Sequence, residues 1–369
     1  MNRRPNQSRS DYDAFSARDA SFKAVSPDKH FFDPKVKVPL GKRLRRLLLA
    51  LALLCLLGNF LLNQFVRVER VVVPIKGLSE AFEGFTILHI SDLKGARFGD
   101  KQELITFALG DEKIDAVVLS GDMVSARGNA EPLYALLDAL HERSSATPIY
   151  FIPGDSDPAP ASMSYAAGGS PFAPWVLGAK QRGATFLSSP ESITREDQTL
   201  WLTTNTHLSV DMDTLQRQYE LQYLAALDGG DENEIELATY NLQWLENTRS
   251  MRKAIQEDDI LLTVSHAAPA VHELSGSLTS RIDLVLCGHY LGGLMRLPGI
   301  GPLFVPSSSQ PRYGLFPGDG TYGGLSREGH TWIYTSPGLG SSDTLYPSFF
   351  FRLFNPPTVT LLSLTPSAL

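Results

Sequence analysis

The most constraining feature of this sequence is a short apolar run that ends abruptly in Ser-Gly-Asp. Residues 114–119 read Ile-Asp-Ala-Val-Val-Leu and are followed by Ser120, Gly121 and Asp122. An apolar, β-branched run of this length is typical of a buried strand, and the glycine marks where the chain turns out of the sheet. In open α/β sheets, ligands bind beyond the carboxyl ends of the strands. The run therefore predicts that Asp122 faces a ligand, although one such motif alone also fits an aspartate that caps the next helix.

The same pattern recurs along the chain. Strand-like runs are followed by an acidic residue or a histidine, and they alternate with helical segments such as residues 131–141. This alternation predicts βαβ units with parallel strands, whose carboxyl ends meet at one edge. Carboxylates and imidazoles gathered there are suitable ligands for Mn, Fe or Zn. Each such residue alone could be a helix cap or a packed histidine, but five of them in chain order, all at strand ends, favour one shared site. The five residues are Asp92, Asp122, Asp155, His266 and His289.

Charge is unevenly distributed along the 369 residues. Residues 1–46 contain twelve Lys and Arg against five Asp, so this segment carries +7, and the total of −7 leaves −14 on the remaining chain. A domain this acidic is unsuited to a nucleic-acid backbone, so we expect no nucleic-acid partner.

A basic cluster followed by an uncharged run predicts a single membrane span. Four basic residues within 42–46 precede residues 47–66, which carry no charge and, as a helix, are long enough to cross the hydrocarbon core. A cleaved signal peptide is disfavoured, because the leading segment is too long and no small-x-small cleavage pattern follows. Positive charge stays in the cytoplasm. We therefore expect a single-pass signal anchor in the cell membrane, with a cytoplasmic N-terminus and the main domain outside.

These features divide the chain into three parts. Residues 1–40 are polar and lack periodicity, which predicts a disordered cytoplasmic tail. Residues 41–69 contain the basic flank and the transmembrane anchor, and residues 70–369 form the main domain. Within that domain, residues 212–250 are strongly helical in composition and indicate a helical insertion.

The order of the strand-end residues resembles a known family. The calcineurin-like metallophosphoesterases carry D-x-H, G-D, G-N-H-[DE], [ST]-H and G-H-x-H in this order. The similarity extends over roughly residues 70–365, and its downstream part resembles the membrane-anchored bacterial branch. It implies a four-layer α/β/β/α sandwich, here preceded by one transmembrane helix, and an ancestral activity of metal-dependent phosphoester hydrolysis. The matching segments are Asp92-Leu93-Lys94, Gly121-Asp122, Gly154-Asp155-Ser156-Asp157, Ser265-His266 and Gly288-His289-Tyr290-Leu291.

Most departures from the family pattern are at the ligand positions of one of its two metals. In the family, two adjacent metals activate a bridging hydroxide. The resemblance implies that the first metal has lost two ligands, because Lys94 and Leu291 stand beside Asp92 and Asp122. The second set is complete, with an aspartate in place of an asparagine, and consists of Asp122, Asp155, His266 and His289. We therefore expect one divalent transition metal (Mn, Fe or Zn) or none.

Two further replacements affect the chemistry. Lys94 and Ser156 occupy positions where the family has histidines, so the resemblance assigns no catalytic residue. A serine hydroxyl cannot act as an acid near neutral pH as a histidine can. An ammonium at a metal position repels a cation. We expect Lys94 to reach the empty position and to pair with Asp92 and Asp122.

Three functions follow from this sequence. The first is a membrane-anchored phosphoesterase with at most one intact metal site and reduced activity, acting on a phosphorylated small molecule or lipid. The second is a non-catalytic pseudoenzyme that binds a phosphorylated ligand, a lipid headgroup or an envelope protein. The third, and least supported, is a structural envelope protein that uses the helical arm.

Overall fold

The computed structural model describes residues 40–125, 127–161, 171–297, 300–305, 314–317, 322–341 and 352–367. The expected disordered tail, residues 1–40, lies outside this part of the chain except for Leu40, so it stays a prediction. The chain separates into two compact units, Met1–Leu56 and Leu57–Leu369.

Helix α1, Leu40–Leu62, supplies the described part of the first unit and continues into the second. It is long and apolar enough to cross a membrane, and it is the one such helix among the described residues. Its apolar side chains are largely exposed, for example Leu48 and Leu53. An apolar surface that is not packed against protein fits a helix surrounded by lipid.

The first sheet of the second unit places three strand ends side by side. Strands β2 to β5 run parallel, while β15 runs antiparallel to β2 and parallel to β1. The carboxyl ends of β2, β3 and β4 therefore lie at one edge. In spatial order the strands are β1 (Arg67–Ile75), β15 (Thr358–Pro366), β2 (Thr86–Ile90), β3 (Ala116–Leu119), β4 (Ile149–Phe151) and β5 (Ala184–Phe186).

The second sheet also contains four adjacent parallel strands, but its edges differ from those of the first sheet. Its four inner strands are parallel, and its outer strands β13 and β6 are antiparallel to their neighbours. A smaller sheet joins β10 (Met295–Leu297), β11 (Gly301–Val305) and β12 (Gly314–Leu315). The strands of the larger sheet are β13 (Gly324–Glu328), β14 (Thr331–Thr335), β9 (Leu284–Cys287), β8 (Ile260–Val264), β7 (Gln198–Thr204) and β6 (Glu191–Arg195).

Three apolar clusters define four layers. Helices α2 (Glu103–Leu109), α3 (Glu131–Arg143) and α4 (Pro174–Gln181) pack on the outer face of the first sheet. A second cluster, including Val118 and Leu286, fills the space between the two sheets. On the far side, α5 (Asn205–Ser209) and a later helix place Leu208 and Met251 on the second sheet. The expected α/β/β/α sandwich is confirmed, since each sheet buries one face on its partner and the other on helices.

Two helices occupy the region where an insertion is expected. They are α6, Met212–Gly229, and α7, Glu232–Ala254. The Asp211 and Asp231 carboxylates each accept backbone N–H bonds at the start of the helix that follows them. Between them Gly230 takes a left-handed conformation, with φ of 68°, which reverses the chain. The two helices thus form an antiparallel hairpin.

Candidate metal centre

The five strand-end residues converge between the two sheets. Asp92, Asp122 and Asp155 follow β2, β3 and β4, and His266 and His289 follow β8 and β9. Their ligand atoms form two groups, in each of which the atoms lie within 4.8 Å of one another. One group is Asp92, Asp122 and His266, and the other is Asp155, His266 and His289. His266 belongs to both, so it lies at the middle of the cluster.

The turns that aim these side chains are left-handed at five positions. Residues other than glycine rarely adopt φ above zero, and such strain persists only where the surroundings hold it. Nine non-glycine residues in the described part of the chain have positive φ, and five of them lie in the motifs at the strand ends. They are Asp92 (φ 53°), Lys94 (49°), Asp122 (54°), His289 (73°) and Leu291 (55°).

Gly121 is required by the close approach of the strand ends. Its φ is 96°, and a Cβ added there would lie 2.7 Å from His266 Nδ1 and 2.8 Å from the Gly154 Cα. Neither distance is tolerated by real Cβ atoms. The glycine before Asp122 is therefore a packing requirement of the centre as well as a turn signal.

The tautomer of His266 is fixed by a backbone carbonyl. His266 Nδ1 lies 2.9 Å from the Ser120 oxygen, which can only accept, so Nδ1 carries a hydrogen and donates it. Nε2 points the other way and lies 3.3 Å from Asp122 Oδ2. A backbone bond of this kind orients a metal-binding histidine and leaves the opposite nitrogen for the metal.

The pocket carries more negative than positive charge. Burial lowers the pKa of His266, but its hydrogen bond to Asp122 and the charges of Asp92 and Asp122 raise it further, to about 9. Burial alone would raise the pKa of Asp122, but the contacts with His266 and Lys94 hold it well below its usual range. In both cases a buried carboxylate and a neighbouring cation stabilise each other's charged form.

One carboxylate oxygen shows that the residues fit a metal. Asp92 is fully buried, and its Oδ2 accepts the His289 backbone N–H at 3.1 Å. Its Oδ1 has no hydrogen-bond partner among the described residues. A buried carboxylate oxygen without a partner is costly, and a bound cation would satisfy it. The donor set of carboxylate and imidazole suits Mn, Fe or Zn.

The mouth of the centre is formed by Asp155 and His289. Asp155 Oδ2 lies 3.3 Å from His289 Nδ1, and their side chains are 72% and 16% exposed. Asp92 and Asp122 are far more buried. A molecule that enters the centre from solvent therefore meets Asp155 first.

Lys94 reaches the centre and pairs with Asp122, one of the two carboxylates expected from the sequence. Its ammonium forms an ion pair with Asp122 Oδ2 and donates to Ser156 Oγ at 3.1 Å. Asp122 Oδ1 accepts the Ser156 backbone N–H at 2.8 Å. In this contact the Lys94 ammonium is the donor and the Ser156 hydroxyl oxygen is the acceptor. A base that activates a nucleophilic serine must instead accept the hydroxyl proton.

Leu291 supplies no ligand atom to the centre. Its side chain is 1% exposed and approaches Gly338, which neighbours Asp92. Its carbonyl accepts hydrogen bonds from Arg352 Nη2 at 3.0 Å and from Asn355 Nδ2 at 2.7 Å. An apolar side chain thus fills this position of the centre.

Three supporting residues were not assigned from the sequence. Asp157 accepts the Val124 and Gly154 backbone N–H groups at 2.7 and 2.8 Å, which ties together two loops of the centre. Arg352 and Asn355 bind the loop after His289 from the far end of the chain. Only the acidic position of G-N-H-[DE] pointed to Asp157, and no local signal marked the other two.

Comparison with known proteins decides the family. The model of the calcineurin-like phosphoesterase family matches residues 85–292, which is more than half of the chain and spans every residue of the cluster. The chain belongs to this family. Calcineurin-like phosphoesterases hydrolyse phosphoesters with divalent metals, which agrees with the donor set described above.

Solved structures of other proteins resemble this calcineurin-like chain. Phosphopantetheinyl hydrolase from Mycobacterium tuberculosis is 12% identical, with a TM-score of 0.37 over 78% of this chain and 98% of its own. The protein TT1561 of Thermus thermophilus is 14% identical, with a TM-score of 0.34 over 69% of this chain and 89% of its own. No curated protein sequence matches the chain.

Proposed function

We propose that this protein is a membrane-anchored phosphoester hydrolase that uses one divalent metal ion and the ammonium of Lys94. The observation that carries the proposal is the ion pair between Lys94 and Asp122. Asp122 is the carboxylate that the family places between two metals, and on one side it already meets a fixed positive charge. A second cation beside Lys94 would be repelled.

The residues proposed to hold the metal are Asp122, Asp155, His266, His289 and Asp92, whose Oδ1 has no hydrogen-bond partner among the described residues. A divalent metal bound there, of the Mn, Fe or Zn type, supplies Lewis acidity and an activated water. Asp92 holds the loop of His289 through the His289 backbone N–H. Ser120 orients His266 through its carbonyl.

Lys94 is the residue proposed to meet the substrate. Its ammonium is largely buried, with 11% of the side chain exposed, and it lies between Asp122 and Ser156. A fixed ammonium in a site with little water stabilises negative charge that develops on the phosphoryl oxygens. Lys94 therefore contributes the positive charge that a second metal supplies elsewhere in the family.

Turnover is proposed to be slow because the centre lacks an imidazole acid. Ser156 stands where the family has its histidine, and a hydroxyl does not protonate a leaving oxygen near neutral pH. Esters whose leaving group needs no proton, such as p-nitrophenyl esters, should therefore be the best substrates.

Membrane anchoring is proposed from α1 and its basic flank. The helix has the length and composition of a span, and four basic residues within 42–46 precede the uncharged run. The proposed orientation, with the N-terminus in the cytoplasm and the main domain outside, is supported by the basic flank, because positive charge stays in the cytoplasm.

The second candidate is a protein that binds a phosphorylated ligand without turnover. The buried apolar side chain of Leu291, at a position where the family has a metal ligand, favours it. In that case Lys94 and Ser156 would hold the phosphate.

Hydrolysis of bis(p-nitrophenyl) phosphate by the full-length protein in detergent, with Mn²⁺ or Zn²⁺, separates the two. We expect slow, metal-dependent release of p-nitrophenol, lowered at least about 100-fold in Asp122→Asn and His289→Ala. His272→Ala is the matched control, because His272 is exposed and lies outside the centre. Unchanged activity in Asp122→Asn, or release without metal, would contradict the proposal. A protein that binds the ester without cleaving it supports the second candidate.

A further inference from the structure

The end of α1 and the turn that follows it bond to the rest of the second unit through two asparagines, Asn59 and Asn63. From Leu57 onward the helix belongs to that unit. Asn59 Nδ2 and Asn63 Nδ2 donate to the Arg352 carbonyl at 2.8 and 2.7 Å, and Asn59 Oδ1 accepts the Phe354 N–H at 2.7 Å. The two asparagines are 5% and 7% exposed. Both lie within the uncharged run of residues 47–66, where a polar amide must find a partner.

The other face of these turns is apolar and exposed. Phe60 and Phe65 are 61% and 66% exposed, and Leu61 and Leu62 are also exposed. One face of the helix end is therefore bonded to the domain, and the opposite face is suited to lipid. The surface at residues 352–354 is therefore bonded directly to the end of the uncharged run.

Arg352 joins this helix end to the metal centre. Its side chain is fully buried, and it donates to the carbonyls of Leu291 at 3.0 Å, Pro337 at 2.6 Å and Gly340 at 2.5 Å. Leu291 follows His289 by two residues. Gly340 donates its N–H to the Asp92 carbonyl at 2.6 Å. A single residue thus contacts the helix through its backbone and both site loops through its guanidinium.

Charge disfavours supply of an anionic substrate from bulk water. The chain after residue 46 carries −14, which repels soluble phosphate esters at long range. A phosphate confined to the same bilayer as the helix instead has a high effective concentration near the domain. Within the second unit, Arg352 bonds both to the end of α1 and to the loops of the centre, which favours a substrate that lies in this bilayer.

We propose that the centre takes the phosphate group of a membrane lipid lying in the same bilayer as α1. This inference rests on the proposed function and names its substrate class. In a cleavage step, water adds its oxygen to phosphorus, the bond from phosphorus to the leaving oxygen breaks, and the leaving group departs with a proton from water.

Photo-crosslinking tests the placement without requiring activity. Metal-free full-length protein is reconstituted in phosphatidylcholine vesicles that contain phosphatidic acid with a diazirine on its glycerol backbone. We expect crosslinks in peptides bearing residues 289–294 or 352–355, reduced by unlabelled phosphatidic acid and unaffected by glycerol 3-phosphate. Crosslinks confined to α1 would overturn the inference.

A pair of variants tests the link itself. Asn59→Leu combined with Asn63→Leu keeps the helix apolar and removes its bonds to Arg352, so crosslinks in these peptides should fall at least about fivefold. Asn233→Leu, on the exposed start of α7, is the matched control and should leave the pattern unchanged. Equal crosslinking in the double variant would overturn the proposed connection.

Two matched chromogenic esters test the substrate class. The p-nitrophenyl ester of phosphatidic acid in the protein's own vesicles is compared, in Mn²⁺, with the p-nitrophenyl ester of glycerol phosphate in solution. We expect the lipid ester to be cleaved at least about tenfold faster at equal bulk concentration. Equal or faster cleavage of the soluble ester would overturn the lipid inference and leave the proposed function standing. Cleavage of neither, with no bound metal, would refute the proposed function itself.

Discussion

At the scale of single residues, three replacements in the centre fit one another. Lys94, Ser156 and Leu291 stand where the family has histidines, and the structure brings the Lys94 ammonium onto Asp122 and against Ser156. The side chain of Leu291 is buried. At two positions where the family has metal ligands, this chain thus places an ammonium on Asp122 and a buried apolar side chain.

Restoring the three histidines should rebuild a second metal site. In the variant Lys94→His, Ser156→His and Leu291→His, the fixed ammonium is removed and two imidazole ligands and an acid return. We expect metal content, measured by atomic emission on the full-length protein, to rise from one to two equivalents, and p-nitrophenyl ester hydrolysis to rise at least about tenfold. A folded triple variant that binds at most one ion would contradict the account of this centre.

Asp283 provides a pH-dependent test at the end of β9 opposite to His289. Burial raises its pKa to about 6, although its Oδ2 accepts the Leu261 N–H at 2.9 Å and Arg281 lies nearby. The folded state therefore binds the proton more tightly than the unfolded state. Stability should fall as pH rises from about 4 to about 6 and then level off.

Asp283→Asn should abolish this dependence. The amide oxygen can still accept the Leu261 N–H, and at pH 8 the variant should be more stable by up to about 3 kcal/mol. Thermal unfolding of the detergent-solubilised chain between pH 4 and pH 8 measures both. A wild type whose stability rises from pH 4 to pH 6 while the variant parallels it would contradict the assigned role.

At the scale of elements, the sandwich positions the centre, whereas the helical hairpin contributes none of the five strand-end residues. Parallel strands β2, β3 and β4 in one sheet and β8 and β9 in the other end at the same side, so their following residues meet. The hairpin α6–α7 instead contacts the second sheet mainly through buried residues near its base, such as Met251.

Two leucines on the hairpin should differ sharply in their contribution to the free energy of unfolding. Leu245 is 2% exposed, so Leu245→Ala should lower the free energy of unfolding by about 2–4 kcal/mol. Leu221 is 67% exposed, and Leu221→Ala should change it by less than about 0.5 kcal/mol. Chemical denaturation of the two variants measures this contrast. Equal losses would indicate that the exposed face of α6 is also packed.

The sequence was informative about elements and less so about their long-range partners. Buried parallel strands read directly as apolar runs, so the strand ends bearing Asp92, Asp122 and His266 could be located before their geometry was known. The guanidinium of Arg352 could not, because no periodicity or motif connects it with Leu291 across 61 residues. The hydrogen bonds of Asn59 and Asn63 could not be predicted either, because their partner, Arg352, lies near the other end of the chain. In the sequence these two asparagines only weaken an apolar run.

At the scale of the whole molecule, the proposed topology places the second unit outside the cell. Full-length protein in a Cys55→Ser background, with a single added cysteine, can be labelled in intact cells with an impermeant maleimide, since Cys287 is buried. We expect Glu236→Cys, exposed on α7, to be labelled. Ser21→Cys should react only after the membrane is broken. The reverse pattern would contradict the orientation.

The central claim is that one metal ion and the Lys94 ammonium together occupy a centre built for two metals. Its most direct test is the metal content of purified full-length protein saturated with Mn²⁺ or Zn²⁺ and freed of excess ion. We predict one equivalent per chain in the wild type and in the surface control His272→Ala, and near zero in His289→Ala. Two equivalents in the wild type, or none, would contradict the account.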